Sequence, residues 1–216
     1  MDIKAASSAG DLGIDLSATS KRSNVKRNVR IKAADAKAKR IAKLHGAGVR
    51  AHMTKTVTMA QAIYGTEAVA VTPSQASNLK RKMTNMLGHK AGMCNASLLA
   101  IHEVEDPTAE TRWRQVKEWI EVWLARLDLH GQIRTTWRQI LSKMSSDDSA
   151  GNYKKALGPA GGMIALLLEI GFIPSEPDRW DTCRGRTWEM TSDPIDLVAF
   201  RKEFMAIFKA REWKIL

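Results

Sequence analysis

The chain has 216 residues, 44% hydrophobic and 26% charged, which suffices for a packed core. No run approaches the ~20 apolar residues that cross a bilayer, and the opening Met1-Asp2-Ile3-Lys4 lacks the apolar stretch of a secretory signal. Two distant cysteines, Cys94 and Cys183, supply neither a disulfide framework nor a Cys-based zinc site, so an intracellular chain, nuclear or cytoplasmic and without membrane contact, is expected.

Charge is the unusual quantity. Lys and Arg number 34 against 23 Asp and Glu, a net of +11. Residues 20–50 alone hold eleven Lys or Arg against one acid, Asp35, whereas residues 101–216 carry 17 basic and 18 acidic side chains. Ordinary solubility dressing mixes the two signs. A basic first quarter on a near-neutral remainder points instead to a polyanion partner, nucleic acid above all.

Along the chain, residues 1–20 are rich in Ser, Ala and Gly, and only Asp11-Leu-Gly-Ile-Asp-Leu16 reads as a short strand. From Ser23 to Leu44 there is no Gly or Pro, and Ala and Lys dominate, so one helix is expected. At ~100° per residue Ile31, Ala34, Ala38 and Ile41 share a thin apolar arc. Every basic residue from Lys21 to Lys43 except Arg27 falls on the other half. Gly46-Ala-Gly48 ends this helix, and a second one is expected from about Val49 to Tyr64, with Val49, Met53, Val57, Ala60 and Tyr64 on one face. Thr72-Pro73-Ser74-Gln75 is a capping box with proline at the first helical position. Ala76, Leu79, Met83 and Met86 form the buried stripe behind it, and Gly88 closes it.

Asp106-Pro107 repeats the cap-plus-proline start, and Trp113, Val116, Ile120, Trp123 and Leu127 mark an amphipathic helix. Ile133, Trp137, Ile140 and Met144 continue the helical period after His130-Gly131. Residues 145–152 (Ser-Ser-Asp-Asp-Ser-Ala-Gly-Asn) read as an exposed linker. Gly158–Gly171 is a short buried helix, and Arg179–Met190 places two Trp-bearing strands around a Gly turn as a β-hairpin. Asp193-Pro194 opens a last helix with Leu197, Phe200, Phe204 and Phe208 on its face. The expected fold is therefore mainly α: a multi-helix body (1–144) with a basic N-terminal helix, a linker (145–152), and a small helix–hairpin–helix subdomain (153–216).

The chemistry-bearing residues form no catalytic set. Asp147-Asp148 could hold magnesium as a polymerase pair does, but Ser145 and Ser146 precede it where an aromatic residue within a tight hairpin is required, so it reads as solvated linker. His45, His52, His89, His102 and His130 follow no ligand spacing, and neither Cys94 nor Cys183 has a base beside it. No phosphate-loop glycine pattern occurs. No metal and no cofactor are expected, and the chain reads as a non-enzyme. Trp113, Trp123 and Trp137 lie on apolar stripes and belong to the core, while Trp119 sits off the stripe as the exposed or partner-facing ring. The residues expected to contact nucleic acid are Lys26, Arg27, Arg30, Lys32, Lys37, Lys39, Arg40 and Lys43.

Two stretches resemble a family. Asp11-Leu-Gly-Ile-Asp15, the basic helix ending Arg40-Ile-Ala-Lys-Leu44, Ile63-Tyr64-Gly65-Thr66-Glu67 and Met86-Leu87-Gly88 are similar to the tract behind the polymerase core of non-LTR retrotransposon reverse transcriptases. Val69 or Val71 stands where that family often has a tryptophan. Gly158-Pro159, Leu167, Gly171-Phe172-Ile173-Pro174, Trp180, Gly185 and Trp188 resemble a further block of such polyproteins. The resemblance implies a thumb or connection segment that grips the template–primer duplex, as RNA or an RNA/DNA hybrid, without the catalytic aspartates. It also implies that the remainder of a polyprotein is a partner. From a different class, a stand-alone helical scaffold or adaptor, whose basic face binds RNA or an acidic protein, fits the same charge pattern.

Overall fold

A computed structural model describes residues 8–11, 14–17, 25–66, 70–87, 99, 104–144, 148–190 and 196–215. Among these the fold is mainly α, with a small three-stranded antiparallel sheet towards the C-terminus. The chain forms two compact units, Met1–Thr66 with Val71–Thr111, and Glu67–Ala70 with Arg112–Leu216. This division does not coincide with the boundary expected at 145–152.

In the first unit, β1 (Ser8–Asp11) and β2 (Ile14–Ser17) pair antiparallel, with Asp11 opposite Ile14 and Ser8 opposite Ser17. The single strand expected over 11–16 is thus part of two strands. Ser8-Ala-Gly has no large apolar residue to reveal its alternation. The basic helix α1 covers Val25–Ile41, within the expected Ser23–Leu44. Lys39 and Arg40 occupy its last turn, where cations complement the helix dipole.

The next helical stretch departs from expectation. It runs as α2 (Ala47–Met53), a π-helical segment over Thr54–Met59, and α3 (Ala60–Ile63). Val49, Ala60 and Tyr64 are exposed, and the buried positions are Ala51, Thr54, Thr58, Met59, Ala62 and Ile63. Threonine hides this face from a hydropathy reading. Thr54 Oγ1 donates to the Arg50 carbonyl four residues back (2.7 Å), which satisfies the hydroxyl locally so that a polar residue can face inward.

Helix α4 (Pro73–Met86) starts as read from the sequence. The Thr72 hydroxyl accepts from the Gln75 amide (3.3 Å), and the Gln75 side chain accepts from the Thr72 amide (3.1 Å). Ala76, Leu79, Met83 and Met86 are all buried. Its C-cap is Leu87, and Gly88 lies outside the described residues. Asp106 opens α5 (Pro107–Ala125) by accepting from the Thr108 amide (2.8 Å). Its carboxylate also pairs with Lys80 of α4 (2.5 Å).

In the second unit, α5 buries Trp113, Val116, Ile120 and Trp123 as expected. Leu127 does not join them and is 73% exposed, because the α-helix ends at Ala125 and Leu127–Leu129 is a 3-10 turn. Arg126 donates to both oxygens of Asp128 across that turn, which holds the Asp128 carboxyl below its ordinary range. Helix α6 (His130–Leu141) buries Trp137, and the His130 ring stacks flat on Trp123 at 3.6 Å. Residues 145–147 of the expected linker lie outside the described residues. Asp148 caps α7 (Ser149–Lys155) by accepting from the Gly151 amide (2.8 Å), and Asn152 is buried, so this end of the stretch is helix.

Helix α8 (Gly158–Ile170) is buried from Gly161 to Leu167 and at Ile170, and Gly171 ends it in the left-handed region at φ 86°. The expected hairpin, β4 (Arg179–Asp181) with β5 (Thr187–Glu189), sets Trp180 directly opposite Trp188. A third strand, β3 (Ile173–Glu176), extends it on the other side of β4. Both indoles pack on Phe200 of α9 (Leu197–Ile215), with centroids 5.9 and 4.8 Å away. Asp196 caps α9 by accepting from the amides of Val198 and Ala199, while Asp193-Pro194 lies outside the described residues.

A buried charge cluster holds α5, α7 and α8 together, and it had no signature in the sequence. Arg112 is 0% exposed, pairs with Glu169 (3.0 Å) and lies over the Tyr153 ring, while the Tyr153 hydroxyl donates to Glu169. Removing one partner of a buried pair strands the other charge. Glu169→Leu should therefore cost about 3–5 kcal/mol in urea denaturation. Close backbone approach matters beside it, since a Cβ on Gly162 would lie 2.7 Å from Ala70 Cβ and 2.9 Å from Gln115 Nε2. Gly162→Ala should lower the same stability by about 1–3 kcal/mol despite its better helix propensity.

Candidate nucleic-acid interface

The candidate site is the outer face of α1, and its geometry follows from how the inner face docks. Ala34, Ala38 and Ile41 are buried in one cluster with Met59, Ala62 and Ile63 of the second helical stretch and Leu79, Met83 and Met86 of α4. Ile31 is half-buried at the margin. Two alanines leave little side chain between helix axes, so α1 approaches closely, and the side chains diametrically opposite must face solvent.

The eight predicted contact residues separate accordingly. Lys32, Lys37, Lys39 and Arg40 are exposed on α1, and Lys43 is exposed in the turn that follows. Lys32, Lys39 and Lys43 share the arc opposite the buried stripe, with Arg40 beside them and Lys37 on the flank. Lys26 belongs to α1, but its side chain lies outside the described residues. Asp35, the sole acid of the helix, is drawn aside by Lys82 of α4 (3.3 Å).

Two of the eight belong to the fold rather than to the face. Arg27 is 6% exposed, seven residues before Ala34 on the buried stripe, so its cation is not displayed. Arg30 is half-buried and tethered. Its Nη1 donates to the Tyr64 carbonyl (2.7 Å), and its guanidinium lies 4.8 Å from the centroid of the Tyr64 ring. Tyr64 ends α3 in an extended conformation, Gly65 follows at φ 77°, and the Thr66 hydroxyl donates back to the Ile63 carbonyl (2.7 Å). Arg30 thus clamps the Tyr64-Gly65-Thr66 turn to α1. Sequence reading missed this clamp because its partners are 34 residues apart and no periodicity links them.

The other candidates resolve more simply. Trp119 is not a partner-facing ring: it is half-buried against Trp137 (5.2 Å), and its Nε1 donates to the Pro177 carbonyl (2.9 Å). Among the described residues no three His, Cys, Asp or Glu side chains gather to hold a metal ion, and no helix is long and apolar enough to cross a membrane. Cys94, His89, His102 and Asp147 lie outside the described residues, and Cys183 is exposed.

The buried and displayed cations should separate in a stability measurement. Arg27→Ala should lower the unfolding free energy by about 0.5–3 kcal/mol, through lost packing of its stem, and Lys39→Ala should change it by no more than about 0.5 kcal/mol. Equal losses in chemical denaturation would contradict this assignment. No protein-family model, no curated protein and no solved structure matches this chain.

Proposed function

We propose that this chain is a non-catalytic, nucleic-acid-binding piece of a reverse-transcriptase-like polyprotein, acting inside the cell in the nucleus or cytoplasm. It grips the sugar–phosphate backbone of RNA or an RNA/DNA duplex through α1. The observation that carries the binding reading is the one-sided display of Lys32, Lys39, Arg40 and Lys43, with Lys37 on the flank and the helix's acid engaged elsewhere. The polyprotein reading rests on the resemblance of Asp11–Asp15, Ile63–Glu67 and Gly158–Trp188 to retrotransposon reverse transcriptases.

The spacing suits a backbone and not base edges. From Lys32 to Lys43 the rise is ~16 Å, a length over which one strand of a duplex presents about five phosphates. Long flexible lysines make point-charge contacts, which position a nucleic acid without reading its sequence.

Replacing Lys32, Lys39, Arg40 and Lys43 by Gln should reduce the slope of log affinity against log salt by roughly three units, since each lost phosphate contact removes ~0.7–0.9. The melting temperature should hardly move, because all four side chains are exposed. Fluorescence anisotropy across a salt titration reads this out. An unchanged slope would make α1 a solvated face and overturn the nucleic-acid reading.

A further inference from the structure

Next to the cationic arc of α1 lies a second basic run, Lys80-Arg81-Lys82 of α4, whose three side chains the fold sends in three directions. Lys80 turns to Asp106 at the start of α5. Lys82 turns to α1 and pairs with Asp35 at 3.3 Å. Arg81 lies opposite the buried stripe of Ala76, Leu79, Met83 and Met86. It is exposed and donates within its own helix, to Asn78 Oδ1 (3.1 Å). The Asp35–Lys82 pair fixes where this run stands relative to the arc. Helices α1 and α4 bury their apolar stripes in one cluster, so their solvent-facing arcs adjoin along the line where the two helices meet, and the pair spans that line. On α1, Asp35 comes three residues after Lys32 and four before Lys39. Those two spacings make side chains neighbours on a helix surface, with Cβ atoms ~5–6 Å apart. Lys82 thus reaches the acid that stands between two displayed lysines, and Arg81 lies further outward on α4. Both partners of the pair are 33% exposed, which leaves them open to a ligand lying on the arc.

We propose that the phosphate-binding face is two helices wide. Arg81 of α4 contacts the same nucleic-acid backbone as Lys32 and Lys39, and Lys82 is a reserve contact that Asp35 withholds, so that Asp35 acts as a brake on affinity. This rests on the reading of α1 as a phosphate-binding face and adds to it a second helix and an acid that tunes the binding. Ion pairs exposed to this degree contribute little to stability, so Lys82 leaves Asp35 at small cost once a phosphate competes for it. A guanidinium turned to solvent suits phosphate oxygens, which it can meet with two parallel hydrogen bonds. Each cation that reaches a phosphate also releases counterions, so the number engaged is readable from the salt dependence of binding.

The test titrates one labelled RNA/DNA duplex by fluorescence anisotropy across a salt series. It uses the full chain and the variants Asp35→Asn, Asp35→Asn with Lys82→Gln, Arg81→Gln and Glu121→Gln. Asp35→Asn should tighten binding roughly three- to tenfold at low salt. It should also steepen the slope of log affinity against log salt by ~0.7–0.9, as Lys82 gains a phosphate. Adding Lys82→Gln should return the slope to that of the unmodified chain, and Arg81→Gln alone should flatten it by ~0.7–0.9. Circular dichroism melts identify any variant that fails to fold, and Arg81→Gln, which leaves the ion pair intact, then carries the comparison. Unchanged affinity and slope in both Asp35→Asn and Arg81→Gln overturn the part given to α4. The α1 reading then stands if replacing Lys32, Lys39, Arg40 and Lys43 by Gln still flattens the slope, and both readings fall if that replacement changes nothing. A double variant that keeps the whole gain of Asp35→Asn overturns the assignment of Lys82. An equal gain from Glu121→Gln, the same change of net charge in the other unit, makes the effect one of net charge and overturns the brake.

Discussion

A helix crowded with like charges can join a fold only where its inward side is small and apolar, and α1 has just enough of such a side. Ala34, Ala38 and Ile41 reach Met59, Ala62, Ile63, Leu79, Met83 and Met86, and a second cluster of Ala51, Leu87, Leu99 and Val104 completes the first unit's described core. The methionines matter here because an unbranched, flexible side chain fills the irregular space left by two alanines. Close docking also sorts the described cations on the helix. Those on the arc away from the seam have only solvent to face, and those beside it are drawn into the protein. Arg27 and Arg30 follow the second course, and the stems of both side chains become packing material.

Where apolar spacing was regular, the sequence was a sufficient guide. The Thr72–Gln75 box, the stripe of α4, Trp113, Trp123 and Trp137 of α5 and α6, and the phenylalanines of α9 all lie where the period of 3.6 places them. The failures have separable causes. The stretch after Gly48 conceals its inner face behind threonines whose hydroxyls bond within the helix or lie buried, and a π-helical segment interrupts its regular turn. Leu127 was misplaced by extending a period beyond the end of its helix. Strand β1 was missed because serine, alanine and glycine carry no alternation. Pairings across many residues, such as Arg30 with Tyr64 or Arg112 with Glu169, leave no mark in a single chain. As for the candidate site, its existence and charge were legible, whereas the separation of displayed from embedded cations needed the fold.

The second unit solves a different problem with different means. A three-stranded sheet of such short strands has too little surface to stand alone, and it borrows α9 for support. Trp180 and Trp188 meet Phe200 from one side, and Trp113 approaches it from another at 6.0 Å. Arg186 caps this aromatic group, lying 4.0 Å over Trp188 while pairing with Glu203 of α9. Ring packing thus anchors the sheet on α9, and the ionic contacts at the surface add little by comparison.

The division of labour within α1 also follows residue type. The two cations that the fold absorbs are arginines, whose planar, permanently charged group can donate in several directions and lie on a ring. The displayed ones among the described side chains are three lysines and one arginine on the helix and Lys43 in the turn just beyond it. Lysine is the side chain whose charge is erased by acylation of its amine, and arginine is not. Acetylating the outer face would thus strip up to four positive charges from it without reaching either cation that holds the helix in place. The same short segment carries a charge that chemistry can remove and an anchor that it cannot.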